Sequence, residues 1–158
     1  MRLRGWTPRS PATYPRARRP VRGGTTIADP PRTVRVVHSS DLHLGMDEGR
    51  HTLPLLEAVL RTARGAHADV LLLVGDVFDH NRVPADFLDD VTDALVASDL
   101  TTVILPGNHD SLVPGSVYRR GRFADIDGVH VLGLTPEEEE VVTLPHLDLE
   151  VWGRAHLD

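Results

Sequence analysis

The sequence contains no cysteine, so it can form neither a disulfide framework nor a zinc site built on thiolates. This absence is compatible with a reducing cytoplasm, where we expect the protein to reside. Lysine is also absent, since all 17 basic residues are arginine, which we attribute to genome composition rather than to chemistry. No run of eighteen apolar residues is present, so we predict no transmembrane helix and no membrane partner.

Positive charge is scarce in most of the chain. Residues 1–32 hold eight arginines and one acid, Asp29, for a net charge of +7. Residues 33–158 hold the remaining nine of the 17 arginines and the remaining 22 of the 23 acids, for a net charge of −13. A body this acidic argues against a broad basic surface for nucleic acid but leaves room for a local one. Bound divalent cations would offset several of the acids.

Composition divides the chain at about residue 32. Residues 1–32 are rich in arginine, proline and glycine and show no helical or strand periodicity, so we predict a disordered extension. The prolines do not suit an amphipathic transit peptide, and residues 21–26 lack the apolar stretch that a twin-arginine signal requires. Binding of phosphate or nucleic acid is an alternative role for this extension. Residues 33–158 are long enough for one domain with one core.

Apolar runs alternate with amphipathic stretches in the first part of this domain. The predicted elements are strands at 34–38, 69–74 and 101–105 and helices at 52–66 and 85–98. The β-α-β-α-β order predicts right-handed crossovers and a parallel sheet. The second strand is continuously apolar, which is typical of a parallel strand covered on both faces.

Beyond residue 110 the pattern changes to shorter elements. We predict a short helix or turn at 117–124, a strand at 129–132, and two antiparallel strands at 141–144 and 147–152. The four consecutive glutamates at 137–140 predict a solvated acidic turn.

Each of the three predicted parallel strands ends in residue types that bind metals. Asp41 and His43 follow the first strand, Asp76 follows the second, and Asn108 follows the third. Ligands bind at the carboxyl ends of the strands in an open α/β sheet. Carboxylate and imidazole suit Mn, Fe or Zn. A carboxylate such as Asp76 can also bridge two cations about 3.5–4 Å apart, a spacing that suits phosphoester chemistry.

Three residues beside these ligands have candidate roles. His109 could protonate a leaving alkoxide or stabilise charge on a transferring phosphoryl group. Asp110 could hold the His109 ring in one tautomer. Asp79 could cap the following segment or orient a ligand, and we favour orientation. Each residue also has a local interpretation as a turn or cap residue, but three such clusters at successive strand ends are not expected by chance.

The clusters resemble the first three motifs of the calcineurin-like metallophosphoesterases. The matching stretches are Asp41-x-His43, Gly75-Asp76-x-x-Asp79 and Gly107-Asn108-His109-Asp110. The resemblance implies an α/β fold, a four-layer αββα sandwich, with a two-metal site that often contains manganese or iron. It also implies the role of each residue: Asp41 and His43 bind the first metal, Asp76 bridges both, Asn108 binds the second, and His109 assists at the leaving group or the phosphate.

The amino-acid sequences of these stretches and of their neighbours are similar to those of the SbcD-like branch of DNA-repair exonucleases. The similar segments are residues 38–45, 75–79, 107–111 and 151–156. This finer resemblance implies a manganese-dependent exonuclease that acts on DNA, with an SMC-like ATPase as its partner.

The later Gly-His and Gly-x-His motifs of the family are absent, and His156 follows Gly153 at a different spacing. We therefore do not expect His156 to bind metal, and we predict a truncated sandwich with the first βαβαβ half and the start of the second sheet. We interpret five further histidines as surface or core residues, with His80 nearest to the site: His51, His67, His80, His130 and His146. Three alternatives to a DNA exonuclease stay open: a nucleotide or small-molecule phosphodiesterase, a protein phosphatase, and a non-catalytic metal-binding fragment.

Overall fold

The computed structural model describes residues 33–46 and 50–158. The extension predicted at 1–32 lies outside the described residues, and so does Gly49 in the loop after the first strand. The described strands are β1 (Val36–Ser39), β2 (Val70–Val74), β3 (Thr102–Leu105), β4 (Val129–Val131), β5 (Val141–Leu144) and β6 (Leu149–Trp152). The described α-helices are α1 (Leu53–Gly65), α2 (Ala85–Ser98) and α3 (Val117–Arg120), joined by short 3-10 turns.

A four-stranded sheet in the order β1-β2-β3-β4 forms the frame of the domain, and all of its neighbouring strands are parallel. Helices α1 and α2 connect the first three strands, so the predicted β-α-β-α-β order and parallel sheet are confirmed. The bounds of α2 agree with the prediction. Strand β1 begins two residues later than predicted because the Arg35 N–H donates to Asp69 Oδ2 at 2.8 Å rather than to a strand carbonyl.

Separate cores lie on the two faces of this sheet. On one face, alternate strand residues such as Leu71, Leu73 and Ile104 pack with the buried sides of α1 and α2. On the other face, Val70 and Val103 pack with β5, β6 and the turn between them. The layers are therefore helices, parallel sheet and a second small sheet, which confirms the predicted α/β class with a first βαβαβ half followed by strands of a second sheet.

Strands β5 and β6 pair antiparallel, as predicted, with Val142 opposite Val151. This hairpin covers only part of the second face. Val36 remains 44% exposed and Val74 39% exposed, so the coverage predicted for both faces of β2 does not extend to its last residue.

Two of the four glutamates at 137–140 contact other segments of the domain, whereas a fully solvated turn would make no such contacts. Glu138 Oε1 lies 2.6 Å from His130 Nδ1, and Glu140 Oε1 accepts from Arg154 Nη2 at 2.5 Å. Both contacts join the turn to neighbouring segments, which a sequence pattern of four acids does not indicate.

The longest described helix has 14 residues. In the part of the chain that the structure describes, none combines the length and the hydrophobicity that crossing a bilayer requires.

Candidate metal centre

The loops after β1 and β2 run side by side beyond the ends of the two strands. The Asp41 N–H donates to the Gly75 carbonyl at 3.1 Å, and the His43 N–H donates to the Asp76 carbonyl at 3.0 Å. An isolated parallel bridge between Leu44 and Phe78 extends the pairing. The backbone alone therefore brings the residues that follow two strands into one place.

Asp41, His43 and Asp76 form the centre of the site. One ligand atom from each of the three side chains lies within 4.8 Å of the other two. Two carboxylates and one imidazole are donors that suit Mn, Fe or Zn, and none of the three is buried. The chemistry and spacing of these side chains fit a divalent metal ion.

The same three residues have left-handed backbone conformations, with φ of +55° at Asp41, +46° at His43 and +48° at Asp76. Such conformations are uncommon for residues other than glycine, although Asp and His adopt them more readily than most. Each costs on the order of 1–3 kcal/mol and persists only where the surroundings impose it. Here the paired loops impose it, and the strain coincides with the candidate ligands.

Gly107 provides the space in which the Asp76 carboxylate lies. A Cβ atom added at Gly107 would lie 2.5 Å from the Asp76 backbone nitrogen and closer still to Asp76 Oδ1. The same Oδ1 accepts the His109 N–H at 3.1 Å. The loop after β3 therefore determines the position of the Asp76 carboxylate in two ways: Gly107 has no side chain to displace it, and the His109 N–H donates a hydrogen bond to it.

Gly107→Ala is expected to weaken Mn²⁺ binding roughly 10- to 100-fold, the range typical for a residue that supports a metal ligand. The added methyl group would displace the Asp76 carboxylate. Isothermal titration of the metal-free protein with Mn²⁺ measures the change. Gly65→Ala is the control, because a Cβ at Gly65 meets no atom within 4 Å. Equal affinities for the two variants would contradict the role of Gly107.

Asp79 contacts both histidines of the site. Its Oδ1 lies 3.0 Å from His43 Nδ1, and its backbone carbonyl accepts from His109 Nδ1 at 2.9 Å. The two rings meet edge to face with centroids 4.9 Å apart. If Nδ1 of His43 donates to Asp79, Nε2 keeps its lone pair for a metal. This is the geometry that the favoured orienting role of Asp79 requires.

The carbonyl of Asp79 also raises the pKa of the exposed His109 above its ordinary value. Partial desolvation opposes this increase, and the carboxylates of Asp76, Asp79 and Asp110 add to it. The environment of His109 thus favours its protonated form.

Asp110 has a different set of partners from the one predicted. Its buried carboxylate accepts from the Gly107 N–H at 2.6 Å, the Phe78 N–H at 3.1 Å and the Tyr118 hydroxyl at 2.5 Å. The hydrogen-bond partner of the His109 ring is instead the carbonyl of Asp79. The structure therefore does not place Asp110 as the residue that fixes the tautomer of His109. It joins the loops after β2 and β3 to α3.

Tyr118 is fully buried, in edge-to-face contact with Phe78 and Phe123. Burial raises the pKa of its hydroxyl well above the ordinary value, and the Asp110 carboxylate raises it further. The hydroxyl therefore remains a proton donor to Asp110. Sequence reasoning missed Tyr118, because the seven residues between it and Asp110 follow no motif.

The structure places the other candidates as follows. Asn108 is exposed between Gly107 and His109, and its role as a ligand stays a prediction. His80 accepts the Arg82 N–H on Nδ1 at 3.2 Å. The backbone of His156 contacts the loop after β3 through Pro106 and Leu112, but among the described residues its side chain belongs to neither group suited to a metal. The second such group is His43, Asp79 and His109.

Comparison with known proteins adds two findings. A sequence model of the calcineurin-like phosphoesterases matches residues 34–152. Over 59 residues the chain is 37% identical to the double-strand break repair protein MRE11 of Macaca fascicularis, an alignment that covers 34% of this chain. The chain spans 8% of the length of that relative.

Proposed function

Because the chain belongs to the calcineurin-like phosphoesterase family, we propose that it is a two-metal-dependent phosphodiesterase that acts on DNA. The observation that carries this proposal is the convergence of Asp41, His43 and Asp76 at the carboxyl ends of β1 and β2. Carboxylates and an imidazole at this edge of a parallel sheet are suited to metal-assisted hydrolysis.

In this proposal Asp41 and His43 would hold the first metal, Asp76 would serve both metals, and Asn108 would hold the second. Bound divalent metals neutralise charge on phosphoryl oxygens and lower the pKa of coordinated water. His109 is exposed beside them and donates a proton or a hydrogen bond to the leaving group or the phosphate. Asp79 keeps both imidazole rings in their orientations. We propose manganese as the metal, with iron or zinc as alternatives.

The choice of DNA as substrate rests on similarity. The relative from Macaca fascicularis is named for double-strand break repair, and the motif sequences are similar to those of SbcD-like exonucleases. The same similarity suggests an exonuclease with an SMC-like ATPase partner. That partner, the SbcD-like branch and the cytoplasmic location all stay predictions.

The net charge of −13 in residues 33–158 favours a second candidate. An acidic body repels long nucleic acids more than it repels a single phosphodiester. A nucleotide or small-molecule phosphodiesterase, or a protein phosphatase, would suit this charge better.

A third candidate is a fragment that binds metal without catalysis. Within the described residues each group suited to a metal contains three side chains, and they share His43. Two complete sites would require more ligands than these groups supply.

Three substrates and one chelator separate the candidates. We expect Mn²⁺-dependent hydrolysis of single-stranded DNA, duplex DNA and bis-p-nitrophenyl phosphate, with DNA preferred and with all activity lost when a chelator removes the metal. Hydrolysis of the chromogenic diester alone would favour the second candidate. Mn²⁺ binding in a calorimeter without turnover of any substrate would favour the third.

A further inference from the structure

Arg82 is an exposed cation directly after the site residues. It lies three positions beyond Asp79, and its N–H donates to His80 Nδ1. Its guanidinium has no hydrogen bond or ion pair with any residue that the structure describes. An arginine side chain is a strong ligand for phosphate, since its planar fork can donate two parallel hydrogen bonds.

The backbone on both sides of Arg82 is firmly held. Arg120 Nη2 donates to the carbonyl of Asn81 at 2.7 Å and to that of Val83 at 2.9 Å. The Val83 side chain is fully buried against Gly45. Arg82 therefore projects from a segment whose neighbours are held on each side.

Asn81 connects this segment to the loop that follows Asp110. Its Nδ2 donates to the Ser111 carbonyl at 2.8 Å, and its Oδ1 accepts the Val117 N–H at 2.9 Å. Through these bonds the backbone of Arg82 has a fixed position relative to both loops that carry His109 and Asp79. A preorganised cation loses less entropy on binding a ligand than a mobile one.

Most of the other described arginine side chains are engaged. Those of Arg35 and Arg120 bind backbone carbonyls, and those of Arg61, Arg122 and Arg154 pair with acids. Arg119 and Arg64 also have no side-chain partner among the described residues: Arg119 lies on α3 and lines a depression with Arg122 and Leu134, and Arg64 lies in the last turn of α1. That end of α1 faces the start of β2, the edge of the sheet opposite to the site.

We propose that Arg82 binds a second phosphate of the substrate, next to the one at the metal centre. The inference rests on the proposed phosphodiesterase function and narrows its substrate to chains with successive phosphates, such as single-stranded DNA. The metals would offset the charge of one phosphate only. Residues 33–158 carry a net charge of −13, so they provide little positive charge for a second phosphate. Each nucleotide of a DNA strand carries one phosphate, and in a duplex the phosphates of one strand follow each other with a rise of about 3.4 Å along the helix axis, so every phosphate at the metal centre has a neighbour on the same strand.

The test is the salt dependence of DNA binding by the full chain. The probe is a short fluorescent single-stranded DNA, with Ca²⁺ in place of Mn²⁺ to limit cleavage. Arg82→Ala is expected to weaken binding about 3- to 10-fold and to reduce the slope of log affinity against log salt by about 0.7. Arg82→Lys should retain most of the slope, because it keeps the charge, while losing part of the affinity.

Arg64→Ala is the matched control, since it removes one unpaired arginine far from the site, and it should bind DNA as the wild type does. Equal affinity and slope for Arg82→Ala and Arg64→Ala would overturn the proposal, and so would a wild-type chain that does not bind the DNA. Neither result depends on turnover. Failure of the phosphodiesterase proposal would appear separately, as absence of Mn²⁺-dependent hydrolysis of bis-p-nitrophenyl phosphate.

Discussion

Asp76→Asn is expected to lower Mn²⁺-dependent phosphodiester hydrolysis at least about 100-fold, since a metal contributes several kcal/mol to such a reaction. The substitution removes the charge that would hold both metals. Asparagine tolerates the left-handed backbone at this position, and its oxygen can still accept the His109 N–H. The fold should therefore survive. Initial rates with bis-p-nitrophenyl phosphate, together with Mn²⁺ titration, measure the effect.

Asp89→Asn makes the same chemical change on the exposed side of α2, and it should keep the wild-type rate. A thermal unfolding scan of each variant separates loss of metal from loss of structure. Full activity in Asp76→Asn would remove the central ligand from the proposed site and with it the two-metal proposal.

Asp110→Ala is expected to lower the free energy of unfolding by about 3–5 kcal/mol, because it leaves three donors in a buried location without an acceptor. For a chain of this size that corresponds to a decrease in melting temperature of about 6–20 °C. Asp110→Asn should lose nearly as much, since its amide NH₂ would face either the Gly107 or the Phe78 N–H. Urea unfolding followed by circular dichroism gives the values.

Tyr118→Phe tests the same interaction from the other side and is expected to cost about 1.5–3 kcal/mol, the range for a hydrogen bond to a charged group. In the double variant with Asp110→Ala the two losses should overlap, with a coupling energy of about 1–3 kcal/mol. Purely additive losses would show that the hydroxyl does not act through Asp110. A stable Asp110→Ala variant with impaired catalysis would instead restore the predicted role beside His109.

The parts of the fold that the sequence predicts well are those set by local patterns. Helix α2 has an apolar face and begins just after Pro84, so its limits follow from periodicity and a proline. The limits of β1 depend on which strand carbonyls and side chains its N–H groups meet, as the bond from Arg35 to Asp69 shows. The exposure of Val74 likewise depends on how far the hairpin extends, which no local pattern encodes.

The candidate site divides in the same way. Residue type and position after a strand are enough to predict that Asp41, His43 and Asp76 come together. The hydrogen-bond partners of Asp79 and Asp110 could not be predicted. Asp110 is next to His109 in sequence and Asp79 is next to it in space, and only the packing of the loops determines which of them bonds the imidazole ring. The buried Tyr118 determines the outcome for Asp110, and its contribution depends on the placement of α3 against the sheet.

The left-handed backbone conformations of the three candidate ligands imply a conflict between the stability of the folded domain and the side chains that a metal site requires. Glycine adopts such conformations without strain, so a chain selected only to stay folded would carry glycine at residues 41, 43 and 76. The protein carries two carboxylates and an imidazole there instead. The folded domain is therefore less stable than the same backbone with glycine at these positions. The lost stability lies at the candidate site, and functional sites commonly lower the stability of an enzyme. Efforts to make this domain more heat-resistant should leave these three positions untouched and begin elsewhere.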